Sequence, residues 1–341
     1  MKIVYPGSFD PPTYGHLAIL NHIAGMFEHV TVLCAENPDK ATHLDIQQRL
    51  HCWESYNLPD NTTVTRTTEQ VGDLSDVVMV RGIRDEFDME TERDVMLLNN
   101  RTFGITKYLY VFSDAENSGI SSTAARNAAH DLDLSSLASL VSPVTLTCLL
   151  EKALGLDNLF MVVGPPASGK STFLKMLCLL TQNNKQINTD DFLPVLGHVV
   201  KKKLNCDNLL EAAITRESEV NAICREPWLA LIKSALHRSR GTKNLFVEVP
   251  YGLQPSKSSY RYLGGKILFV GCSKEKIQQR LIERGTPEHS KFADVIPDLT
   301  ESITIANKNN LDMTCVDSNC TIEELFTLAT NFNNKLEQNN G

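Results

Sequence analysis

Ten consecutive residues, Gly7-Ser8-Phe9-Asp10-Pro11-Pro12-Thr13-Tyr14-Gly15-His16, combine hydroxyls, a carboxylate and an imidazole with two glycines. Gly7 permits a sharp turn after the strand-like Lys2 to Tyr5, and Gly15 permits close approach of backbone to an anion. His16 falls at the start of a helical stretch, where free N–H groups and the helix dipole attract phosphate. An imidazole there can donate a hydrogen bond to charge developing on a phosphoryl oxygen. A capped turn with a half-buried histidine accounts for Thr-x-Gly-His equally well when it stands alone.

It does not stand alone. Arg81-Gly82-Ile83-Arg84 closes an apolar strand and delivers two guanidiniums to the carboxyl edge of a parallel sheet, where open α/β folds bind ligands. Arginine matches phosphate by bidentate donation. Ile120-Ser121-Ser122-Thr123 follows another strand and opens a helix, offering hydroxyls and backbone N–H groups to a polyphosphate, although capping explains Ser121 or Ser122 taken singly. Lys40, after the strand Val30 to Ala35, is by default a solvated lysine.

A second constellation, Gly164-Pro165-Pro166-Ala167-Ser168-Gly169-Lys170-Ser171, fits GxxxxGK[ST] between a strand, Leu159 to Val163, and a helix. In that pattern backbone N–H groups cradle the β-phosphate, the lysine neutralises β/γ charge and the serine ligates Mg²⁺. Gly164, Gly169, Lys170, Ser171 and Thr172 are the expected ATP contacts, against the bland alternative of a tight strand–helix turn. Asn188-Thr189-Asp190-Asp191-Phe192 follows a strand-like stretch, where an Asp orients or deprotonates an acceptor hydroxyl or caps a helix. Glu248 ends a buried strand and is either a metal-binding carboxylate or the partner of a basic neighbour. Arg280 and Arg284 share one helical face, as lid arginines over a transferring phosphate do and as solvated arginines also do. The run Asp312 to Val316 lies where a loop touching adenine would follow.

These side chains need elements to hold them. Apolar strands at Val77 to Arg81, Tyr108 to Phe112, Leu245 to Val249 and Ile267 to Gly271 alternate with helical patterns such as Thr91 to Asn100 and Glu226 to His237. Strands alternating with helices indicate βαβ units around a parallel sheet, and the pattern runs twice. With 341 residues the chain has room for about two domains. The first is expected over 1–156, closed by a helix at Ser142 to Leu154, the second over 157–335, and a polar tail over 336–341.

Composition narrows the function classes. Hydrophobic residues are 42% and charged residues 22%, with 18 Gly and 14 Pro, which excludes disorder, collagen and coiled coil. The net charge of −8 disfavours a general nucleic-acid partner, so anion binding must be local. Apolar runs are too short to span a bilayer, and a Pro-Gly turn interrupts MKIVYPGS where a signal peptide needs its apolar segment. Nine cysteines without CxxC or His-bearing zinc spacing read as free thiols in a reducing cytoplasm.

YPGSFDPPTYGHLAIL, NPDK, RGIRDEFDMETE and GISST resemble, in order and spacing, bacterial-type phosphopantetheine adenylyltransferase over about residues 1–155. The resemblance implies a Rossmann-like nucleotidyltransferase α/β sandwich in which the phosphate of 4′-phosphopantetheine attacks the α-phosphorus of ATP. Pyrophosphate leaves and dephospho-CoA forms, with Mg²⁺ on the phosphates. It further implies that His16 stabilises the transition state, and that Ser8, Lys40 and Arg81 hold the pantetheine phosphate. Phe9, Gly82, Ile83, Arg84, Glu92, Asn117, Ser118, Gly119, Ile120, Ser121, Ser122 and Thr123 would line the ATP site. The bacterial enzymes are hexamers, so a homo-oligomer is among the expectations. Departures are Ser8 for the commoner Thr, Thr91 for Tyr, Asn117 for an aromatic residue, and a shortened stretch from Val64 to Val77.

The second half resembles P-loop kinases of small metabolites, dephospho-CoA kinase among them, through its P-loop, Asp motif, Val249-Pro250 and Gln279-Arg280-Leu281-Ile282-Glu283-Arg284 helix. That implies a P-loop kinase α/β sandwich, also with a parallel sheet, in which Asp190 and Asp191 meet the acceptor. Together the halves resemble a bifunctional enzyme of coenzyme A synthesis with ATP and Mg²⁺ as cofactors. Two other readings stay open. One is a nicotinamide mononucleotide adenylyltransferase fused to a ribosylnicotinamide or polynucleotide-type kinase; the other is a nucleotide sensor without turnover.

Overall fold

The structure is a computed structural model describing residues 2–36, 41–66, 76–84, 86–114, 117–206, 212, 215–249, 258–285, 299–309 and 311–339. The chain divides into two compact units, Met1–Asp131 with Ser136–Leu149, and Leu132–Ser135 with Leu150–Gly341.

The first unit contains β1 (Lys2–Gly7), α1 (Tyr14–Ala24), β2 (Val30–Cys34), α2 (Ile46–Glu54), β3 (Thr62–Thr65), β4 (Val77–Ile83), α3 (Glu86–Phe103), β5 (Lys107–Phe112) and α4 (Ser122–His130). Two further helices follow, α5 (Leu134–Leu140) and α6 (Pro143–Leu154). Its five strands are all parallel, in the order β3-β2-β1-β4-β5. Successive strands run outward from β1 to β3, then the chain crosses back to place β4 on the other side of β1. That reversal opens a crevice at the carboxyl ends of β1 and β4, the place where such sheets bind ligands. Alternate residues of β1 serve opposite faces. Ile3 and Tyr5 join Leu20, Ile23, Val32, Trp53 and Val80 in one core, while Val4 joins Leu33, Val77, Met79 and Ile105 in the other. Each such side chain contributes about 1.5–3 kcal/mol by leaving water.

The second unit contains β6 (Asn158–Val163), α7 (Lys170–Leu180), β7 (Asn184–Asn188), α8 (Leu193–Leu204), α9 (Glu217–His237), β8 (Asn244–Glu248) and α10 (Ser258–Leu263). After these come β9 (Ile267–Gly271), α11 (Lys274–Glu283), α12 (Leu299–Lys308), β10 (Met313–Asp317) and α13 (Ile322–Asn339). Its sheet is again all parallel, ordered β10-β9-β6-β8-β7, so β6 is central and the loop after it opens at the middle of the carboxyl edge. At the opposite edge a row of amides, buried except for the half-buried Asn158, joins three strands. Asn158 donates to Asn244 at 2.9 Å, Asn244 to Asn184 at 2.9 Å and Asn184 to Asn333 on α13 at 2.8 Å.

The polar tail expected over 336–341 is instead, up to Asn339, the last turn of α13. Leu336 is buried in the same core as Phe160, Phe173 and Phe246, and that apolar anchor keeps a polar-looking helix in register. α9 begins earlier than the helix expected from Glu226, at Glu217, and carries Pro227 within it. None of the nine cysteines is in a disulfide. Among the described residues no helix is long and apolar enough to cross a membrane, and no group of three or more His, Cys, Asp or Glu could hold a metal ion.

Candidate active sites

The first site is built on the turn after β1. Thr13 caps α1 with extended backbone, and His16 answers it. The Thr13 hydroxyl accepts the His16 backbone N–H at 3.4 Å, and the Thr13 backbone N–H donates to His16 Nδ1 at 3.0 Å. An amide N–H can only donate, so Nδ1 is the unprotonated nitrogen and the ring proton belongs on Nε2. Removal from water, with the nearby Arg84 charge adding to it, lowers the His16 pKa from 6.5 to about 4. At neutral pH the residue is therefore a neutral Nε2–H donor at a helix start.

The turn itself is tied down from several directions. Asp10 accepts backbone N–H groups of His43 at 2.6 Å and Leu44 at 2.8 Å. Arg49 is buried and donates to Ser8 O at 2.6 Å and Ala35 O at 3.1 Å. The Tyr56 hydroxyl donates to Pro12 O at 2.9 Å, and Ser122 Oγ to Pro11 O at 2.8 Å. Arg126 donates to Asp10 O. A Cβ at Gly15 would stand 2.9 Å from Ile120 O, so this glycine lets α1 lie directly on the 117–121 turn.

Several expected ligand contacts are placed differently from their assigned roles. The Phe9 ring is buried edge-on against Tyr5, Trp53 and His16, and only its backbone, at φ 42°, is left for a ligand. Arg81 and Glu92, assigned to different substrates, bind each other: Arg81 Nε donates to Glu92 at 2.5 Å, Nη2 donates to its second oxygen and Nη1 reaches Pro6 O at 2.9 Å. Arg84 pairs with Asp88 at 2.8 Å, which holds that carboxyl below its ordinary range. A Cβ on Gly82 would lie 2.3 Å from Ile19 Cδ1 and displace the end of that side chain, and Ile83 is core. In the 117–123 segment Ile120 N–H donates to Asn117 O at 3.0 Å, Ser121 caps Ala124 at 3.0 Å and Thr123 Oγ1 accepts from Arg126 at 3.1 Å. Ser118 and Gly119 form the exposed crest of that turn. Lys40 lies outside the described residues, as does most of the shortened stretch before β4.

The second site is the turn between β6 and α7. Gly169 has φ 94° and Ala167 φ 60°, and a Cβ on Gly164 would sit 2.0 Å from Val270 O. Lys170 curls over the loop, its Nζ donating to Gly164 O and Pro165 O at 2.9 Å each. Burial lowers its pKa, and the Glu248 carboxylate opposes that shift. Ser171 Oγ donates to Glu248 Oε1 at 2.9 Å, while Gln186 Nε2 holds the other oxygen at 2.9 Å and Thr189 Oγ1 holds the Glu248 carbonyl at 2.9 Å. Thr172 is half-buried on the first turn of α7. The cap of the short turn Thr189–Phe192 is Asn188, whose oxygen accepts the Asp190 N–H at 3.0 Å; Asp190 and Asp191 are exposed. Arg284 is exposed at the end of α11, but Arg280 binds loop carbonyls rather than reaching out as a lid residue.

From the sequence, Asp10 is included in its motif without a role, and Arg49, Arg126, Gln186 and Ser318 are left out. Only Asp10 had a local signal, its place inside the Ser-Phe-Asp-Pro turn.

Residues 4–128 match the cytidylyltransferase-like family. The phosphopantetheine adenylyltransferase of Mannheimia succiniciproducens is 32% identical over 162 residues, 44% of this chain and 96% of that protein. Among solved structures, a Plasmodium falciparum nicotinic acid mononucleotide adenylyltransferase complexed with NaAD is 17% identical over 45% of this chain and 97% of that one, with a TM-score of 0.34. The protein TT1252 of Thermus thermophilus is 16% identical over 50% of this chain and 93% of that one, with a TM-score of 0.39. Through the unit that carries Thr13 and His16, the chain belongs to the phosphopantetheine adenylyltransferase family.

Proposed function

We propose that the first unit transfers the adenylyl group of ATP to 4′-phosphopantetheine, releasing pyrophosphate and yielding dephospho-CoA. The second unit is then a P-loop kinase that phosphorylates a hydroxyl of that product. The observation that carries the first step is the locked, neutral His16. As the acceptor phosphate attacks the α-phosphorus, charge grows on the non-bridging oxygens, and a fixed Nε2–H donor stabilises it without reorganising. Arg84, paired with Asp88, and Arg81, braced by Glu92, place guanidinium donors at the same crevice, and the helix start after the 117–121 turn favours a polyphosphate. No covalent enzyme intermediate is needed, because positioning and charge suffice.

For the second step, the strand–loop–helix turn with Lys170 at its end is an anion cradle. Asp190, exposed at the carboxyl edge of β7, is the residue to orient an acceptor hydroxyl. The Ser171 hydroxyl and the Glu248 carboxylate, 2.9 Å apart, are hard oxygen donors that fit Mg²⁺ together with nucleotide phosphates. When bound, the ion would neutralise phosphate charge. The pairing of reactions is supported by their chemistry: the first product carries the hydroxyl that the second reaction requires. The test is to incubate the chain with ATP and either 4′-phosphopantetheine or nicotinamide mononucleotide, and to identify products by mass. Dephospho-CoA, followed by a species one phosphate heavier, is expected. A dinucleotide from nicotinamide mononucleotide alone, or nucleotide binding without pyrophosphate release, would replace this reading.

A further inference from the structure

Two carbonyls of the loop between β6 and α7 are held from outside it. Arg280 donates from Nη1 to Ala167 O at 3.3 Å and from Nη2 to Ser318 O at 2.9 Å. Ser318, in the turn after β10, is fully buried and has one hydroxyl proton, which goes to Ser168 O; Gly271 O lies farther off at 3.0 Å. The Ser318 N–H donates to Gly271 O at 2.8 Å, fixing this turn to the end of β9. Both side chains lie against Gly169, where a Cβ would stand 3.6 Å from Arg280 Nη1 and 3.7 Å from Ser318 Cβ.

In a trans peptide the C=O and the following N–H point in opposite directions. Drawing Ser168 C=O onto Ser318 therefore turns the Gly169 N–H the other way. Drawing Ala167 C=O onto Arg280 sets that same peptide so that its Ser168 N–H points the other way and closes the turn on Pro165 O at 3.2 Å. A left-handed alanine at 167 persists only where neighbours over-determine it, whereas Gly169 takes its φ of 94° without strain. We infer that Ser318 and Arg280 are positioning residues for the kinase reaction: Arg280 locks the closed turn through Ala167 O, and Ser318 fixes the Ser168–Gly169 peptide so that the Gly169 N–H is presented to a polyphosphate before one arrives. This deepens the P-loop reading of the second unit and rests on it. It assigns Arg280 a role behind the loop instead of over the substrate, and gives the β10–α13 turn a part in phosphate affinity.

The test is calorimetric titration of the whole chain with tripolyphosphate in magnesium-containing buffer. That probe lacks base and sugar and so reads the phosphate cradle alone. Lys170→Ala supplies the background from everything but this loop. Ser318→Ala should weaken the Lys170-dependent binding by about 2- to 12-fold, the worth of one hydrogen bond. Arg280→Lys, which keeps charge but loses the fork that spans two carbonyls, should weaken it by about 10-fold. Thermal melts of the same variants separate the alternatives, because a purely structural role lowers the melting temperature while the folded fraction binds as before. Should Ser318→Ala fail to fold, Arg280→Lys carries the test. Variants that bind as tightly as wild type per folded molecule overturn the inference alone. Identical titrations of wild type and Lys170→Ala overturn the P-loop reading, and the inference with it.

Discussion

His16 and Thr13 satisfy each other reciprocally, backbone N–H to ring nitrogen at 3.0 Å and hydroxyl to backbone N–H at 3.4 Å. The imidazole is thus part of the cap that begins α1, and its orientation is fixed by the same contacts that start the helix. His16→Ala should lower adenylyl transfer by about 10²–10³-fold, the usual loss when one fixed donor to a developing oxyanion is removed. ATP affinity should stay nearly constant, because the interaction strengthens mainly in the transition state. Steady-state kinetics beside equilibrium ATP binding checks both. Unchanged turnover would remove His16 from the mechanism.

The lowered His16 pKa also predicts a pH response. The unfolded chain takes up this proton below pH 6.5, and the folded chain only below about 4. Between those values the unfolded state binds more protons, so stability rises with pH across the window and falls on acidification. Urea titrations over that range should show the slope, and His16→Gln should flatten it. In the wild type, the acid limb of the transfer rate should not track a group near 6.5.

Asp10 couples the turn after β1 to the segment before α2. Asp10→Asn keeps the shape but sets an NH₂ group against one of two N–H donors, His43 or Leu44. It should destabilise the first unit by about 1–3 kcal/mol. Chemical denaturation measures this, and a stability equal to wild type would mean that the two N–H bonds are replaceable by water.

In the second unit, Gly164→Ala drives a methyl to within 2.0 Å of the Val270 carbonyl, where backbone cannot yield cheaply. The variant should lose nucleotide binding by the second unit and melt early, while adenylyl transfer continues. Lys170→Ala should abolish phosphorylation while adenylyl transfer continues. Loss of adenylyl transfer in Lys170→Ala would mean that the two activities are not independent.

What was legible in the sequence is what is local in it. Strand–turn–helix alternation marks both sheets, and the residues of Thr-x-Gly-His and of the GxxxxGK[ST] turn act within a few positions of one another. The residues that escaped notice work across long separations. Arg49 meets Ser8 across 41 positions, Gln186 meets Glu248 across 62 and Ser318 meets Ser168 across 150. Periodicity and turn chemistry carry no record of such pairings. The same limit explains Arg81 and Glu92, where two residues with separate expected ligands turn out to be each other's partners. It also explains Arg280, whose helical spacing with Arg284 says nothing about the carbonyls waiting at Ala167 and Ser318.

The amide row that ends on Asn333 sets a timetable for synthesis. Once Leu149 has left the ribosome, every segment of the first unit exists, whereas the second cannot complete its row until Asn333 is made. At about 5–20 residues per second, translation takes roughly 10–40 s to cover that distance. Throughout that interval the first unit is free to mature while the second still lacks α13, whose Leu325, Ala329 and Leu336 share a core with Phe160 and Val162 of β6. A nascent chain stalled in that stretch would carry a finished front and a sticky rear, a natural client for a chaperone.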